Sequence, residues 1–190
     1  EHPDMPAGAE ADIIKGMYAF RKGGESKGPR VQLLGSGAIL SEVLRARTLL
    51  RDDFGIAAAV WSATSYSELQ RDGIACEREA RLGADPRAAF VATQLAPTRG
   101  PVIAASDHVR AWPELIRAFV PRRYVTLGTD GFGRSDTRSA LRAFFEVDAE
   151  SIVIAALHAL AQDGAFEPAR VDDARRRYGR EAVSAPAWCR

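Results

Sequence analysis

Apolar residues along this chain follow two spacings: short β-type runs and longer stretches with helical periodicity. The β-type runs lie at residues 16–20, 31–34, 57–61, 102–105 and 124–127, and each predicts a strand. Stretches with apolar positions three and four residues apart separate most of these runs and predict helices. Strands that alternate with helices form βαβ units, so the pattern predicts a three-layer α/β/α fold with a mainly parallel sheet.

Residues at the ends of the periodic stretches predict where the helices begin and end. Gly55 is expected to end the helix at residues 38–54, because glycine readily adopts the left-handed conformation that closes a helix. Candidate N-caps precede the later helices and are Ser65 with Glu68, Ser106 and Asp107, Asp136 for residues 137–145, and Asp148 for residues 149–163. A proline at position 113 either lies in the first turn of a helix beginning near Ala111 or bends that helix, and Pro168 starts the last one.

Length and composition fit a single domain with short extensions. A chain of 190 residues that is 46% hydrophobic can bury a sizeable core. Residues 1–15 are rich in Pro, Gly, Ala and acids and are interpreted as an N-terminal linker. We therefore predict a linker at 1–15, an α/β domain at 16–165, and a C-terminal helix with a tail at 166–190.

Charge, apolar run length and cysteine content exclude several classes of partner and of protein. Basic and acidic residues nearly balance, at 26 and 25, so neither nucleic acid nor an anionic membrane is predicted as a partner. The apolar stretch at residues 151–161 is shorter than the ~20 residues that a membrane span requires. Cys76 and Cys189 form no disulfide framework and are expected to be free thiols in the cytoplasm. The arginine-rich run at 175–177 is interpreted as a solvated helix face.

The segment at residues 127–136 combines more chemical features than a connecting loop needs. It lies at the carboxyl end of a predicted strand, where open α/β sheets place functional residues. The candidate site residues are Asp130, Gly131, Phe132, Gly133, Arg134, Ser135 and Asp136. One interpretation is a docking or gating loop against a partner domain, with Phe132 as its apolar contact and Arg134 as its charged contact. The other is a plain connection, in which Asp136 caps a helix and Arg134 pairs with a carboxylate.

Two shorter motifs predict chemistry more weakly. The turn at residues 35–37, Gly-Ser-Gly, precedes a helix whose free N–H groups could receive an anion, but it matches neither a dinucleotide fingerprint nor a P-loop. Ser106, Asp107 and His108 have the residue types of a catalytic triad, yet neighbours at a strand end rarely form a relay. Capping and tight turning are the favoured interpretations of both. The scattered histidines and the two distant cysteines predict no zinc site.

Several strings along the chain resemble one known family, and they cover residues 1 to about 165. They are Met5-Pro6 with Gly8 and Glu10, Gly16 with Tyr18, Val31 to Gly37, Thr64-Ser65, Glu68-Leu69, Arg71-Asp-Gly73, Cys76-Glu-Arg78, Leu127 to Asp136, and Phe145 to Asp148. These strings are similar to the C-terminal domain of the decarboxylating component of homodimeric bacterial pyruvate dehydrogenases, which belong to the transketolase superfamily. The string at 128–136 is the most specific of them.

The resemblance implies a fold and a context for this domain. The implied fold is a small α/β module with a five-stranded mixed sheet, in which residues 16–20 form the one antiparallel strand. The implied enzyme uses thiamine diphosphate and Mg²⁺ to decarboxylate pyruvate and transfers an acetyl group to a lipoyl group. Implied partners are the preceding domains of the same chain, a second subunit of a homodimer, and the dihydrolipoyl acetyltransferase core.

The cofactor motif of that family is missing from this sequence. The family holds the diphosphate and Mg²⁺ with Gly-Asp-Gly and a downstream asparagine, whereas this chain has no Gly-Asp-Gly and no asparagine. No catalytic or cofactor-binding residue is therefore assigned here, and the chain alone is expected to be inactive, with a structural and assembly role. The alternatives are the equivalent domain of a transketolase-type enzyme, an independent anion-binding module that uses residues 35–37, and a hydrolase that uses residues 106–108.

Overall fold

The computed structural model describes residues 4–24, 28–180 and 185–189, and a five-stranded sheet lies at its centre. The strands are β1 (Met17–Arg21), β2 (Arg30–Gly35), β3 (Ala57–Ala63), β4 (Val102–Ala105) and β5 (Tyr124–Leu127). Their order across the sheet is β1-β3-β2-β4-β5. β1 pairs with β3 in antiparallel orientation, and the other neighbouring pairs are parallel. This arrangement confirms the predicted mixed, mainly parallel sheet.

Helices cover both faces of the sheet and give the three layers that the sequence predicted. They are α1 (Glu10–Ile14), α2 (Leu40–Phe54), α3 (Tyr66–Arg81), α4 (Phe90–Leu95), α5 (Ala111–Glu114), α6 (Arg138–Phe144), α7 (Ala149–Gln162) and α8 (Pro168–Arg177). Short 3₁₀ turns lie at Gly37–Ile39, Arg117–Phe119 and Ala187–Cys189. None of the helices in the described segments has the length and apolar character that crossing a membrane would require.

Two apolar cores lie on opposite faces of the sheet because side chains alternate along each strand. In β2, Leu33 packs against α2 and α7, whereas Leu34 packs on the side of α3 and α4. The apolar stripe of α2 enters the first core through Val43 and Leu50, both fully buried. Burying side chains of this size stabilises the fold by about 1.5–3 kcal/mol each.

Several predicted helix ends are confirmed. Ser65 accepts a hydrogen bond from the Glu68 N–H at 3.2 Å at the start of α3. The Ser151 N–H donates to the Asp148 side chain at 3.0 Å and caps α7 in the same way. Gly55 closes α2 with a φ of 67°. Each cap satisfies a backbone group that has no partner inside its helix.

Two predicted caps are wrong. The N-cap of α6 is Thr137, whose hydroxyl accepts from the Ala140 N–H at 3.3 Å, while Asp136 instead accepts from the Thr137 N–H at 2.6 Å. The helix therefore begins one residue later than the aspartate suggested. Neither Ser106 nor Asp107 caps α5, which begins at Ala111 after an intervening turn. Pro113 lies in the first turn of α5, as one of the two alternatives predicted.

The segments on either side of the predicted domain contain structure of their own. α1 lies inside the stretch predicted as a linker, and Ala9 just before it is buried in the first core. Val171 and Ala174 of α8 are buried in that same core. The described tail ends in the 3₁₀ turn at Ala187–Cys189, with Trp188 half-exposed. The proposed divisions near residues 15 and 165 remain predictions.

Candidate contact site at the carboxyl edge of the sheet

The loop after β5 is fixed at its base to the loop after β4. The Thr129 N–H donates to the His108 carbonyl at 2.9 Å, and the Thr129 hydroxyl donates to the Asp107 carbonyl at 2.8 Å. A Cβ on Gly128 would lie only 2.6 Å from the His108 carbonyl oxygen and 2.7 Å from the Arg110 nitrogen. Only glycine allows the two loops to approach this closely.

The next two residues of the loop lie against distant parts of the chain. The Asp130 carboxylate accepts hydrogen bonds from the Arg110 backbone N–H at 2.8 Å and from Arg110 Nε at 2.5 Å. Gly131 has a φ of +106°, and a Cβ there would lie 2.8 Å from Trp188 Cα. Both the backbone conformation and the available space therefore require glycine at position 131.

The remaining residues form an exposed tip. Phe132 is 90% exposed, and a Cβ on Gly133 would meet no atom within 4 Å. The Arg134 guanidinium lies over the Phe144 ring at 4.2 Å, and within the described segments it pairs with no carboxylate. Ser135 and Asp136 are exposed as well. The expected Arg134–carboxylate pair of the plain-loop interpretation is therefore replaced by a cation–π contact.

Other apolar side chains surround this loop at the carboxyl ends of the strands. The carboxyl-edge surface comprises Met5, Val109, Trp112, Phe132 and Trp188, whose exposed fractions range from 42% to 90%. Met5 and Trp112 line a cavity of about 710 Å³ together with Ser36 and Thr64, which follow β2 and β3. Exposed apolar clusters of this kind mark sites where another protein surface packs.

The two weaker motifs meet below this surface, at the point where the strand order reverses. The Ser36 hydroxyl donates to Ser106 Oγ at 2.9 Å, and Ser106 Oγ also accepts from the His108 backbone N–H at 3.1 Å. These bonds tie β2 to β4, and no described contact joins the His108 imidazole to a serine hydroxyl. A Cβ on Gly37 would lie 3.4 Å from an Asp107 carboxylate oxygen. An acid at that position opposes anion binding by the Gly-Ser-Gly turn.

The shifted titratable groups have structural causes rather than catalytic ones. A hydrogen bond from Arg117 lowers the pKa of Glu114, and a further bond from Thr126 acts in the same direction. Burial raises the pKa of Tyr66, whose hydroxyl has no hydrogen-bond partner among the described residues, and burial also raises the pKa of Cys76. Within the described ranges, no group of three or more His, Cys, Asp or Glu side chains is arranged to hold a metal ion.

Sequence reasoning identified the loop but missed the residues that hold it. Arg110 and Trp188 lie far from the loop along the chain, and neither belongs to a motif. The local signal was Asp130, an acidic residue between Gly128 and Gly131. Its carboxylate needs a hydrogen-bond donor, but the sequence does not show which residue provides it. The anchoring contacts therefore became visible only with the fold.

Comparison with known proteins identifies the family of this domain. Residues 16–148 match the model of the transketolase-like TK C-terminal domain. Among curated proteins, the Cupriavidus necator pyruvate dehydrogenase E1 component is 56% identical over 181 residues, covering 94% of this chain. The corresponding protein of Pseudomonas aeruginosa is 53% identical over 180 residues, covering 93% of this chain. The chain spans only 20% of the length of each of these relatives.

Solved structures agree with that fold. A transketolase from Pichia stipitis superposes with a TM-score of 0.55 at 17% identity, covering 86% of this chain and 21% of that one. A split-gene transketolase, crystallised as an inactive tetramer, gives a TM-score of 0.53 at 21% identity, covering 77% of this chain and 43% of that one. The chain belongs to the transketolase-like TK C-terminal domain family and is homologous to the pyruvate dehydrogenase E1 component.

Proposed function

We propose that this chain is the assembly domain of a pyruvate dehydrogenase that depends on thiamine diphosphate and Mg²⁺. That enzyme would decarboxylate pyruvate oxidatively and transfer the acetyl group to a lipoyl group. The high identity to E1 components, 56% and 53%, favours this proposal over a transketolase-type enzyme, because the transketolase structures share only 17–21% identity with the chain. The domain itself would contribute contacts rather than chemistry.

The observation that carries the proposal is the construction of the loop at 128–136. Its base is locked by Gly128, Asp130 and Gly131, whereas its tip presents Phe132 almost fully to solvent. A large apolar side chain held out on a rigid base suits a contact with another protein surface, because ordering it on binding costs little entropy. The carboxyl-edge surface would pack against the preceding domains of the same polypeptide. The homodimer subunit and the dihydrolipoyl acetyltransferase core would be partners of the complete enzyme, in the cytoplasm.

The residues of this chain do not fit a site for thiamine diphosphate and Mg²⁺. The chain has three Asp-Gly dipeptides, one of them within α3, and the aspartate of each is paired with an arginine. These pairs are Asp72 with Arg87, Asp130 with Arg110, and Asp163 with Arg123. A carboxylate neutralised by a guanidinium is a poor Mg²⁺ ligand, since the metal would have to displace the arginine. We therefore assign cofactor binding to other parts of the enzyme.

The proposal is tested by comparing the complete enzyme with the 190-residue chain. Both are assayed for pyruvate-dependent CO₂ release and for acetyl transfer to a lipoyl acceptor, and calorimetry measures thiamine diphosphate binding in the presence of Mg²⁺. The expected result is activity and Mg²⁺-dependent cofactor binding in the complete enzyme alone. Micromolar thiamine diphosphate binding by the 190-residue chain that requires Mg²⁺, or turnover of a ketose phosphate instead of pyruvate by the complete enzyme, would contradict the proposal, whereas Mg²⁺-independent binding of the diphosphate would not.

A further inference from the structure

A groove that the assembly role does not explain lies at the opposite end of the parallel strands, where β2 and β3 begin. We call this end the amino edge of the sheet. The groove encloses about 570 Å³, which lies within the range of small-molecule sites. Its floor is the part of the sheet face that α3 and α4 leave uncovered. Small side chains from β1 and β3 form most of this floor, together with Gln32 of β2 and Trp61 of β3. The small floor residues are Ala19, Ala57 and Ala59. We call this cavity the amino-edge groove.

Cations surround the amino-edge groove, and no acid is among the lining residues that the structure describes. These cations are Arg21, Lys22, Arg30 and Arg99. Within the described ranges, Arg21, Lys22 and Arg99 pair with no carboxylate, whereas arginines elsewhere on the surface, such as Arg87, do so at hydrogen-bond distance. Cations gathered in one cavity repel each other, and a bound anion would relieve that repulsion.

A buried hydrogen-bond chain fixes the loop that carries Arg99. Trp61 Nε1 donates to Gln32 Oε1 at 3.0 Å, and Gln32 Nε2 donates to the Arg99 carbonyl at 2.9 Å. Gln32 is only 3% exposed, so its amide is committed to this loop. Gly100 then passes so close to β2 that a Cβ there would lie 1.6 Å from the Arg30 carbonyl oxygen. The backbone that carries Arg99 is thus fixed before any ligand arrives, which lowers the cost of binding one.

We propose that the amino-edge groove binds a small molecule that carries phosphate groups. Guanidinium groups match the geometry of phosphate oxygens, and several cations together suit a multiply charged anion. The alanine floor and the indole of Trp61 provide an apolar surface for the rest of the molecule. The compact size of the groove favours a small ligand over an acidic peptide, which would need an extended path along the surface.

Calorimetry of the 190-residue chain with inorganic pyrophosphate and tripolyphosphate tests this proposal at constant ionic strength. We expect saturable binding, tighter for tripolyphosphate. Arg99→Gln and Lys22→Gln should each weaken it about tenfold, since each removes charged hydrogen bonds. Arg81→Gln is the matched control, because Arg81 is exposed on α3, outside the groove, and its change removes the same charge. Circular dichroism of each variant verifies that it remains folded.

Three outcomes would overturn the proposal. One is the absence of saturable binding of either probe, and another is equal weakening by Arg81→Gln, which would indicate nonspecific attraction. The third is binding of an oligoglutamate peptide that Arg99→Gln abolishes, without binding of either phosphate probe, which would assign the groove to an acidic peptide. None of these results depends on the decarboxylation assay, so this inference and the assembly role fail separately.

Discussion

The two edges of the sheet expose different chemistry and use glycine for different purposes. At the carboxyl edge, Gly128 and Gly131 lock the base of a loop whose tip presents an aromatic ring. At the amino edge, Gly100 allows the loop that carries Arg99 to approach β2 closely. One edge therefore offers apolar area to a protein surface, and the other offers positive charge around a cavity.

Under the two proposals, one small domain separates assembly from ligand binding. Open α/β sheets usually place their functional residues at the carboxyl ends of the strands. Here that edge is dominated by contact features, and the groove lined by cations lies at the other end of the same strands. Each variant below changes one edge at a time.

The largest effect is expected from Gly100→Ala. Gly100 has a φ of +81°, and its new Cβ would lie 1.6 Å from the Arg30 carbonyl oxygen, so we expect a loss of roughly 3–5 kcal/mol in the free energy of unfolding. Gly83→Ala is the control, because Gly83 has a φ of +86° with no atom within 4 Å. It should cost only about 1 kcal/mol from backbone strain. Urea unfolding of both variants separates the cost of the close contact from that of the backbone angle. Equal losses in the free energy of unfolding would show that the contact between the new Cβ and the Arg30 carbonyl is relieved without cost.

At the carboxyl edge, Gly131→Val should reduce stability by about 2–4 kcal/mol. The cause is its φ of +106° together with the Trp188 backbone 2.8 Å from the new Cβ. Gly133→Val is the control, since that position opens onto free space. In the complete enzyme, Gly131→Val should also lower dimer content in sedimentation velocity, while Gly133→Val leaves it unchanged. Wild-type assembly of Gly131→Val would remove the base of the loop from the assembly role.

The alternation of strands and helices was predictable because apolar spacing records which face of each element is buried. Leu33 and Leu34 are adjacent in sequence and point to opposite faces of the sheet. Ser65 and Asp148 each cap a helix through an N–H only three residues later, so these signals are local as well. The spacing of apolar residues three and four positions apart does not reveal short helices. α4 has only six residues, fewer than two turns, and its first N–H is satisfied by Asp72, eighteen residues earlier. No periodicity of its own marks such a helix.

The candidate site was predictable as a segment but not as a surface. The glycines and the charged residues of 127–136 are adjacent in sequence, so their unusual combination is visible there. The amino-edge groove, in contrast, is assembled from residues near 21, 31, 58 and 98. These residues become neighbours only when the order of the strands is known, and the sequence alone does not fix that order.

Asp72 provides a smaller, pH-dependent test of the start of α4, the helix whose Gln94 lines the amino-edge groove. Partial burial raises the pKa of Asp72, but hydrogen bonds from the Phe90 N–H and from Arg87 outweigh this and lower it overall. The charged form therefore stabilises the fold above the unfolded-state pKa of about 3.9, and this stability is lost as the pH falls through the lower folded-state pKa.

Asp72→Asn should thus cost about 1–2 kcal/mol at neutral pH, and its difference from wild type should shrink below about pH 4. The exposed Asp85 is a suitable control, since Asp85→Asn removes the same charge and Asp85 makes no ion pair within the described segments. Denaturant unfolding at several pH values measures both variants. A difference that persists unchanged at pH 3 would show that the charge of Asp72 is not its source.

Phe132→Ser should have the smallest effect on folding and the most selective effect on assembly. Because Phe132 is 90% exposed, its replacement should change the free energy of unfolding of the 190-residue chain by less than about 0.5 kcal/mol. In the complete enzyme the same change should weaken subunit or domain association about fivefold or more, as expected for an aromatic contact at an interface. Leu82→Ser is the matched control, because Leu82 is 67% exposed just after the end of α3, away from the loop. If both variants associate like wild type in analytical ultracentrifugation, the ring at the loop tip has no part in assembly, and the carboxyl edge loses the feature that most distinguishes it from the amino edge.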